Sequence, residues 1–166
     1  GHYRIPLVYG NAIENGSNNP SSYISSAPAT MVGGKDVILH NFKDHAGANI
    51  TDPWITQSNG GVNAPDGAKL VWADESGLVT NLAVTGSGSN AFVQFEVPAA
   101  TIKNGNAVIA VTKGGTVVWS WHLWFIHDDA LNTIAYWNYQ NKRYDFTNES
   151  LGMKYTAWMG TSYDTP

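Results

Sequence analysis

Apolar and polar residues alternate with a period of two most legibly in Gly105–Phe125 (GNAVIAVTKGGTVVWSWHLWF). Successive side chains of a strand point to opposite faces. Trp119, Trp121, Leu123 and Phe125 therefore share one face, and Ser120, His122, Trp124 and Ile126 share the other. The first face is wholly apolar and predicts packing on a core; the second is mixed. Between the two arms, Lys113-Gly114-Gly115 predicts a tight turn, because adjacent glycines supply the positive φ that hairpin turns demand. The Asn106–Thr112 arm is expected to pair with the Thr116–Ile126 arm.

The same pattern recurs more weakly elsewhere. Tyr3–Tyr9 predicts a strand, with Pro6 placing it at a sheet edge or a bulge. Asp36–Phe42, Lys69–Ala73, Val79–Thr85 and Ala91–Val97 predict further strands, the last two joined by a turn at Ser87-Gly88-Ser89. Thr133–Tyr139 and Lys154–Met159 predict two aromatic-rich strands separated by a polar stretch. Asn11–Pro28 and Asp44–Asp66, rich in Asn, Gly, Ser and Pro, predict two long surface loops. Connections of that length exceed the usual ~2–6 residues and are often where function sits. Nowhere does an apolar i, i+3, i+4, i+7 repeat last for three helical turns. The expected fold is all-β: an antiparallel β-sandwich, Ig-like or jelly-roll-like, of about seven to nine short strands. With 166 residues the chain is expected to form one domain, residues 1–166, able to bury its own core.

Composition narrows the setting. Charged residues make up 13% of the chain, against about 25% in average soluble domains; Gly, Asn, Ser and Thr take their place. That surface chemistry is common in secreted and cell-surface β-proteins. The net charge of −4 and the scattered Lys and Arg argue against nucleic acid, whose recognition needs a basic stripe. The absence of cysteine excludes disulfides, thiolate zinc sites and a Cys nucleophile. No apolar run approaches the ~20 residues that span a bilayer as a helix. The chain opens at Gly1-His2-Tyr3 without Met, so it is read as a mature form or an excised piece of a larger exported protein.

Candidate chemistry begins with the aromatics. Trp72, Trp119, Trp121 and Phe125 are assigned to the core, where each large ring buries roughly 150–250 Å². Trp54, in Asp52-Pro53-Trp54-Ile55, belongs to no strand pattern. Two readings stand for it: a plug at one end of the sandwich, or a platform for a sugar ring with Asn49, Asp52, Gln57 and Asn59 bonding hydroxyls. Tyr136, Trp137, Tyr139, Tyr144, Tyr155, Trp158 and Tyr163 give the C-terminal third many rings with apolar bodies and polar tips. Such rings suit a binding surface or an interface with a neighbouring domain. The ligand-binding candidates are thus Trp54, Asn49, Asp52, Gln57, Tyr136, Trp137 and Trp158.

Metal and catalytic patterns are weaker. His122 and His127, beside Asp128 and Asp129, are five residues apart; on an ideal strand they face opposite sides and converge only across a bend. His40 and His45 flank Asp44 in the same loose way. The Asn/Asp-rich loops lack the Asp-x-Asp-x-Asp-Gly run of a Ca²⁺ loop, and no metal or other cofactor is expected. A glycosidase needs two carboxylates about 5–10 Å apart; Asp74, Glu75, Glu96 and Asp145 are available, with no spacing that pairs them. No Gly-x-Ser-x-Gly elbow, P-loop or dinucleotide fingerprint occurs.

Five stretches together resemble the fimbrillin-like surface modules of Bacteroidota and their uncharacterised relatives. They are Tyr3–Asn11 (YRIPLVYGN), Gly67–Asp74 (GAKLVWAD), Phe92–Pro98 (FVQFEVP), Gly105–Val111 (GNAVIAV) and Val117–Trp124 (VVWSWHLW), similar also in order and spacing and covering about half the chain. The resemblance implies an exported β-sandwich module, lipid-anchored or surface-displayed within a larger protein, without known catalysis. Two features depart from that pattern. The upstream Cys-containing strand is absent, and Asn148–Tyr155 (NESLGMKY) lacks the Asp-Arg-Asn run that often follows the WHxW strand. No site residues carry over. The expected function is a non-catalytic structural or adhesive module, located at the cell surface or secreted and associated with the outer membrane. Its partners would be glycans or neighbouring domains or subunits. A glycan-binding module using exposed aromatics is the alternative, and a sandwich-type glycoside hydrolase is the third reading.

Overall fold

The computed structural model describes residues 1–25, 30–32, 35–37 and 41–154. In chain order its strands are β1 (His2–Pro6), β2 (Ile13–Glu14), β3 (Ser17–Asn18), β4 (Thr30–Val32), β5 (Lys35–Val37) and β6 (Gly67–Ala73). There follow β7 (Thr80–Thr85), β8 (Phe92–Glu96), β9 (Gly105–Lys113), β10 (Thr116–Phe125), β11 (Thr133–Trp137) and β12 (Arg143–Thr147). All pairings among them are antiparallel. Two three-stranded sheets, ordered β1-β8-β7 and β10-β9-β6, carry the fold, and neither closes into a barrel. The all-β, sandwich-like reading of the sequence holds.

The sharpest sequence signal forms as expected. β9 and β10 pair from Lys113↔Thr116 to Gly105↔Phe125, and the loop between them is Gly114-Gly115, with φ of 54° and 83°. Left-handed backbone at both turn positions matches the twist of the strands it joins. β9 is the central strand of its sheet and is buried along most of its length. Ala107, Ile109 and Val111 point into one cluster with Val93 and Phe95 of β8 and with Leu7, Ile55 and Leu78. These alternate residues are the inner faces of two stacked sheets.

One core assignment needs correction, and three are met only in part. Trp72 is 52% exposed. A bulge between Leu70 and Trp72 shifts the pairing so that Leu70 opposes Ile109 but Trp72 opposes Val108. One extra residue inverts the alternation, and Trp72 joins the outer face. Trp119 and Trp121 do pack against the core, as does Phe125, but all three are half-buried. β10 is the edge strand of its sheet, so one flank of each ring stays open. The fully buried β10 side chain is Val118, at a second bulge between Val117 and Trp119. With part of its ring open, Trp121→Ala is expected to lower stability by about 2 kcal/mol, below the range for sealed tryptophans. Urea unfolding checks this, and a loss above about 4 kcal/mol would mean the ring is sealed after all.

The loops are more ordered than their composition predicts. Asn11–Pro28 contains the β2–β3 hairpin, and the chain before the expected Asp36–Phe42 strand forms a β4–β5 hairpin, whose second arm ends at Val37. Residues 38–40, including His40, lie outside the described residues. β11 pairs with β12, in the stretch read as polar, whereas Lys154 lies outside any strand and residues 155–159, with Trp158, fall outside the described residues.

Candidate functional site

The second long loop is organised by one carboxylate. Asp44 is 6% exposed. Its Oδ1 accepts the backbone N–H groups of Ala46 (3.0 Å) and Ala48 (2.9 Å), and its Oδ2 accepts the amides of Asn63 (2.8 Å) and Asn59 (3.2 Å). Burial alone would raise its pKa; the bonds from Ala48, Ala46, Asn63 and Asn59 outweigh it and hold the carboxyl below its usual value. Asn59 reaches further, donating to the Asn49 carbonyl and taking the Thr51 hydroxyl as acceptor for its own N–H. All four donors to Asp44 are N–H groups aimed at its oxygens. A cation needs the reverse arrangement, oxygens converging on an empty point, so this cluster is a structural knot.

Trp54 sits on that knot. Its backbone N–H donates to Asp52 Oδ1 (2.8 Å) and its main chain bridges to Val8, while its half-buried ring packs against the core between buried Pro53 and Ile55. Gln57 donates its backbone N–H to the Trp54 carbonyl, while Asn49 Oδ1 accepts from the Lys43 ammonium. The four loop candidates are thus close together, but through bonds that order the loop. Beneath them lies Tyr9, nearly sealed, with its ring edge-on to Trp119 at 5.0 Å. Its hydroxyl makes no hydrogen bond of normal geometry, with Asn63 and Ser58 as polar neighbours, and burial raises its pKa.

The carboxylates named for glycosidase chemistry are also engaged. Asp74 accepts the backbone N–H (2.8 Å) and the side-chain amide (3.0 Å) of Asn106, itself 6% exposed. Asn106 also donates to the Gly152 carbonyl (3.0 Å), and its Oδ1 lies 2.7 Å from His122 Nε2. Trp124 Nε1 donates to the Met153 carbonyl (2.8 Å), and the Lys154 ammonium reaches Glu75 (2.6 Å). Gly152–Lys154 is therefore strapped across the outer face of β9 and β10. Lys103 and Lys154 bond to Glu75 and lower its pKa to about 2. Burial pushes Asp74 up, but the Asn106 bonds and the Lys154 charge bring it below its usual value. A glycosidase acid needs a carboxyl whose pKa is raised, the opposite direction to both. Elsewhere Glu96 accepts from Asn81, and Asp145 from Arg143.

Among the described residues, two open surfaces rich in aromatic rings bear on binding. The first is a groove of about 660 Å³ between the edge strands β1 and β10, whose lining includes Tyr3, Phe95, Leu123, Trp124 and Phe125 together with Lys103 and His127. Tyr3 lies nearly parallel to Phe95, with ring centroids 5.6 Å apart and planes 19° apart. No Asp or Glu lines this groove. Tyr3 and Phe95 escaped the sequence reading, because a groove between two edges needs the topology to be seen. The second surface is the β11–β12 hairpin. Ile134, Tyr136, Tyr144 and Phe146 share one of its faces, all more than half exposed, with Trp137 on the other and Tyr139 at the tip. The Tyr136 and Phe146 rings meet edge-on, at 71°. Among the described residues no group of three or more His, Asp or Glu is placed to hold a metal ion, and no helix is long and apolar enough to cross a membrane. Comparison with family models, curated proteins and solved structures finds no match for this chain.

Proposed function

We propose that this chain is a non-catalytic module of an exported, surface-displayed protein, with a structural or adhesive role. The observation that carries this reading is that the four carboxylates weighed for catalysis, Asp74, Glu75, Glu96 and Asp145, are engaged in the fold's own contacts, while no Asp or Glu lines the open groove. What the surface offers instead is apolar and aromatic: the β1/β10 groove and the β11–β12 hairpin. Exposed rings of this kind serve association better than bond cleavage. The low charge of the chain and its resemblance to fimbrillin-like modules support the same reading.

Glycan binding is the second reading, and the exposure of Tyr136, Trp137 and Tyr139 favours it at the hairpin over Trp54. The Tyr136 and Phe146 rings do not lie in one plane, so a sugar would stack on single rings. A glycan array probed with the intact chain tests both readings. The module reading expects no change in any arrayed glycan on prolonged incubation; released reducing ends would overturn it in favour of hydrolysis. Binding lost in Trp137→Ala but kept in Trp54→Ala would establish the hairpin as a glycan site.

A further inference from the structure

β11 and β12 form a two-stranded sheet with no further strand on either side among the described residues, and all of β12 is exposed. Isolated two-stranded sheets are marginal in water, and an open strand edge is a template for pairing. The orientation of that edge follows from two bonds. Asn138 N–H donates to the Lys142 carbonyl and Asn148 N–H to the Asn132 carbonyl. In an antiparallel ladder hydrogen-bonded pairs alternate with non-bonded ones, so Tyr136↔Tyr144 and Ile134↔Phe146 are the bonded pairs of this register. The main-chain groups of Arg143, Asp145 and Thr147 therefore point away from β11, toward the open edge.

We propose that β12 pairs antiparallel with β12 of a second copy of this chain, about a two-fold axis at Tyr144, making one four-stranded sheet. In this register Arg143 lies opposite Asp145 of the second copy, and Asp145 opposite its Arg143, with the outward main-chain groups exchanged at both pairs. Tyr144 faces Tyr144 at the axis, in the non-bonded position where side chains approach most closely. The flanking registers that keep outward groups aligned oppose Asp145 to Asp145, or Arg143 to Arg143. Like charges directly opposed across strands are destabilising. Slipping by a single residue sets outward groups against inward ones. The order Arg-Tyr-Asp thus selects one register. In the single chain Arg143 already bonds Asp145, Nη2 at 2.7 Å and Nε at 3.0 Å. Both side chains are well exposed, and such a surface pair gives way at little cost. Pairing also joins the two Ile134/Tyr136/Tyr144/Phe146 faces into one apolar surface on the same side of the sheet.

Sedimentation velocity on the intact chain tests this. Wild type is expected to pass from monomer to dimer somewhere between about 1 µM and 1 mM. Arg143→Asp and Asp145→Arg should each weaken self-association by about tenfold or more, as attractive pairs become repulsive ones. An equimolar mixture of the two variants should form a heterodimer, because each carboxylate then meets a guanidinium. The double variant R143D/D145R should associate as wild type does, which separates lost charge pairing from a damaged hairpin. The proposal is overturned if wild type stays monomeric to about 1 mM. It is equally overturned if single reversals leave association unchanged, or if the mixture binds no better than either variant alone.

Discussion

Ile109→Ala is expected to lower the unfolding free energy by about 3–4 kcal/mol, within the range for buried aliphatic truncations. Ile109 has no exposed surface, and its register neighbours are Trp121 on β10 and Leu70 on β6. β9 is held by strands on both sides, so its backbone cannot shift to fill the gap left by the lost carbons. Restricted collapse places a truncation toward the expensive end of the range. Val108→Ala, one residue along on the outer face and only half-buried, should cost about 1 kcal/mol or less. Urea denaturation of the two variants gives the comparison directly. Equal losses would mean that the inner and outer faces of β9 have been assigned wrongly.

Asp44→Ala is expected to cost about 3 kcal/mol, because the donors of Ala46, Ala48, Asn59 and Asn63 lose their acceptor in a nearly sealed site. Asn in its place keeps one acceptor but turns an N–H toward donors, so Asp44→Asn should also destabilise, by somewhat less. The pH dependence has a definite sign. The folded pKa of Asp44 lies below its usual value, so its contribution is fully present above the unfolded value of about 3.9 and is lost as pH falls through the folded value. Wild type should therefore lose stability on acidification below about pH 4, and Asp44→Ala should lose less over the same interval. Chemical denaturation across pH 2–6 checks this; parallel profiles for the two proteins would show that Asp44 makes no ionic contribution.

The sandwich was legible wherever local pattern and topology agree. The β9–β10 hairpin announced itself through two adjacent glycines and a clean alternation, and both survive in the structure. Trp72 was misplaced because a bulge leaves no mark in a four-residue apolar run such as the LVWA of Leu70–Ala73. β12 was passed over because Arg-Tyr-Asp-Phe-Thr reads as polar by composition, although it alternates ring and non-ring residues as an exposed strand does. The Asp44 knot joins residues up to 19 positions apart, and Asn-rich sequence alone does not distinguish an ordered amide network from a solvated loop. The same limit applied to the candidate site. Trp54 and its polar neighbours stand together in the sequence, but their composition does not reveal that the Asp52 carboxylate takes the Trp54 backbone N–H and the Asn49 amide oxygen takes the Lys43 ammonium.

Asn106 illustrates how one amide fixes a proton. Its two N–H groups go to Asp74 and to the Gly152 carbonyl, so the atom facing His122 is the carbonyl oxygen. An oxygen can only accept, which obliges His122 to carry hydrogen on Nε2 and leaves Nδ1 bare in the neutral ring. The tautomer of His122 is thus written by a carboxylate just past the end of β6 that it never touches, and ¹⁵N chemical shifts of the imidazole would read it out. Leucine at 106 would leave the ring with no such instruction, and aspartate would set two carboxylates against each other where a single amide now mediates.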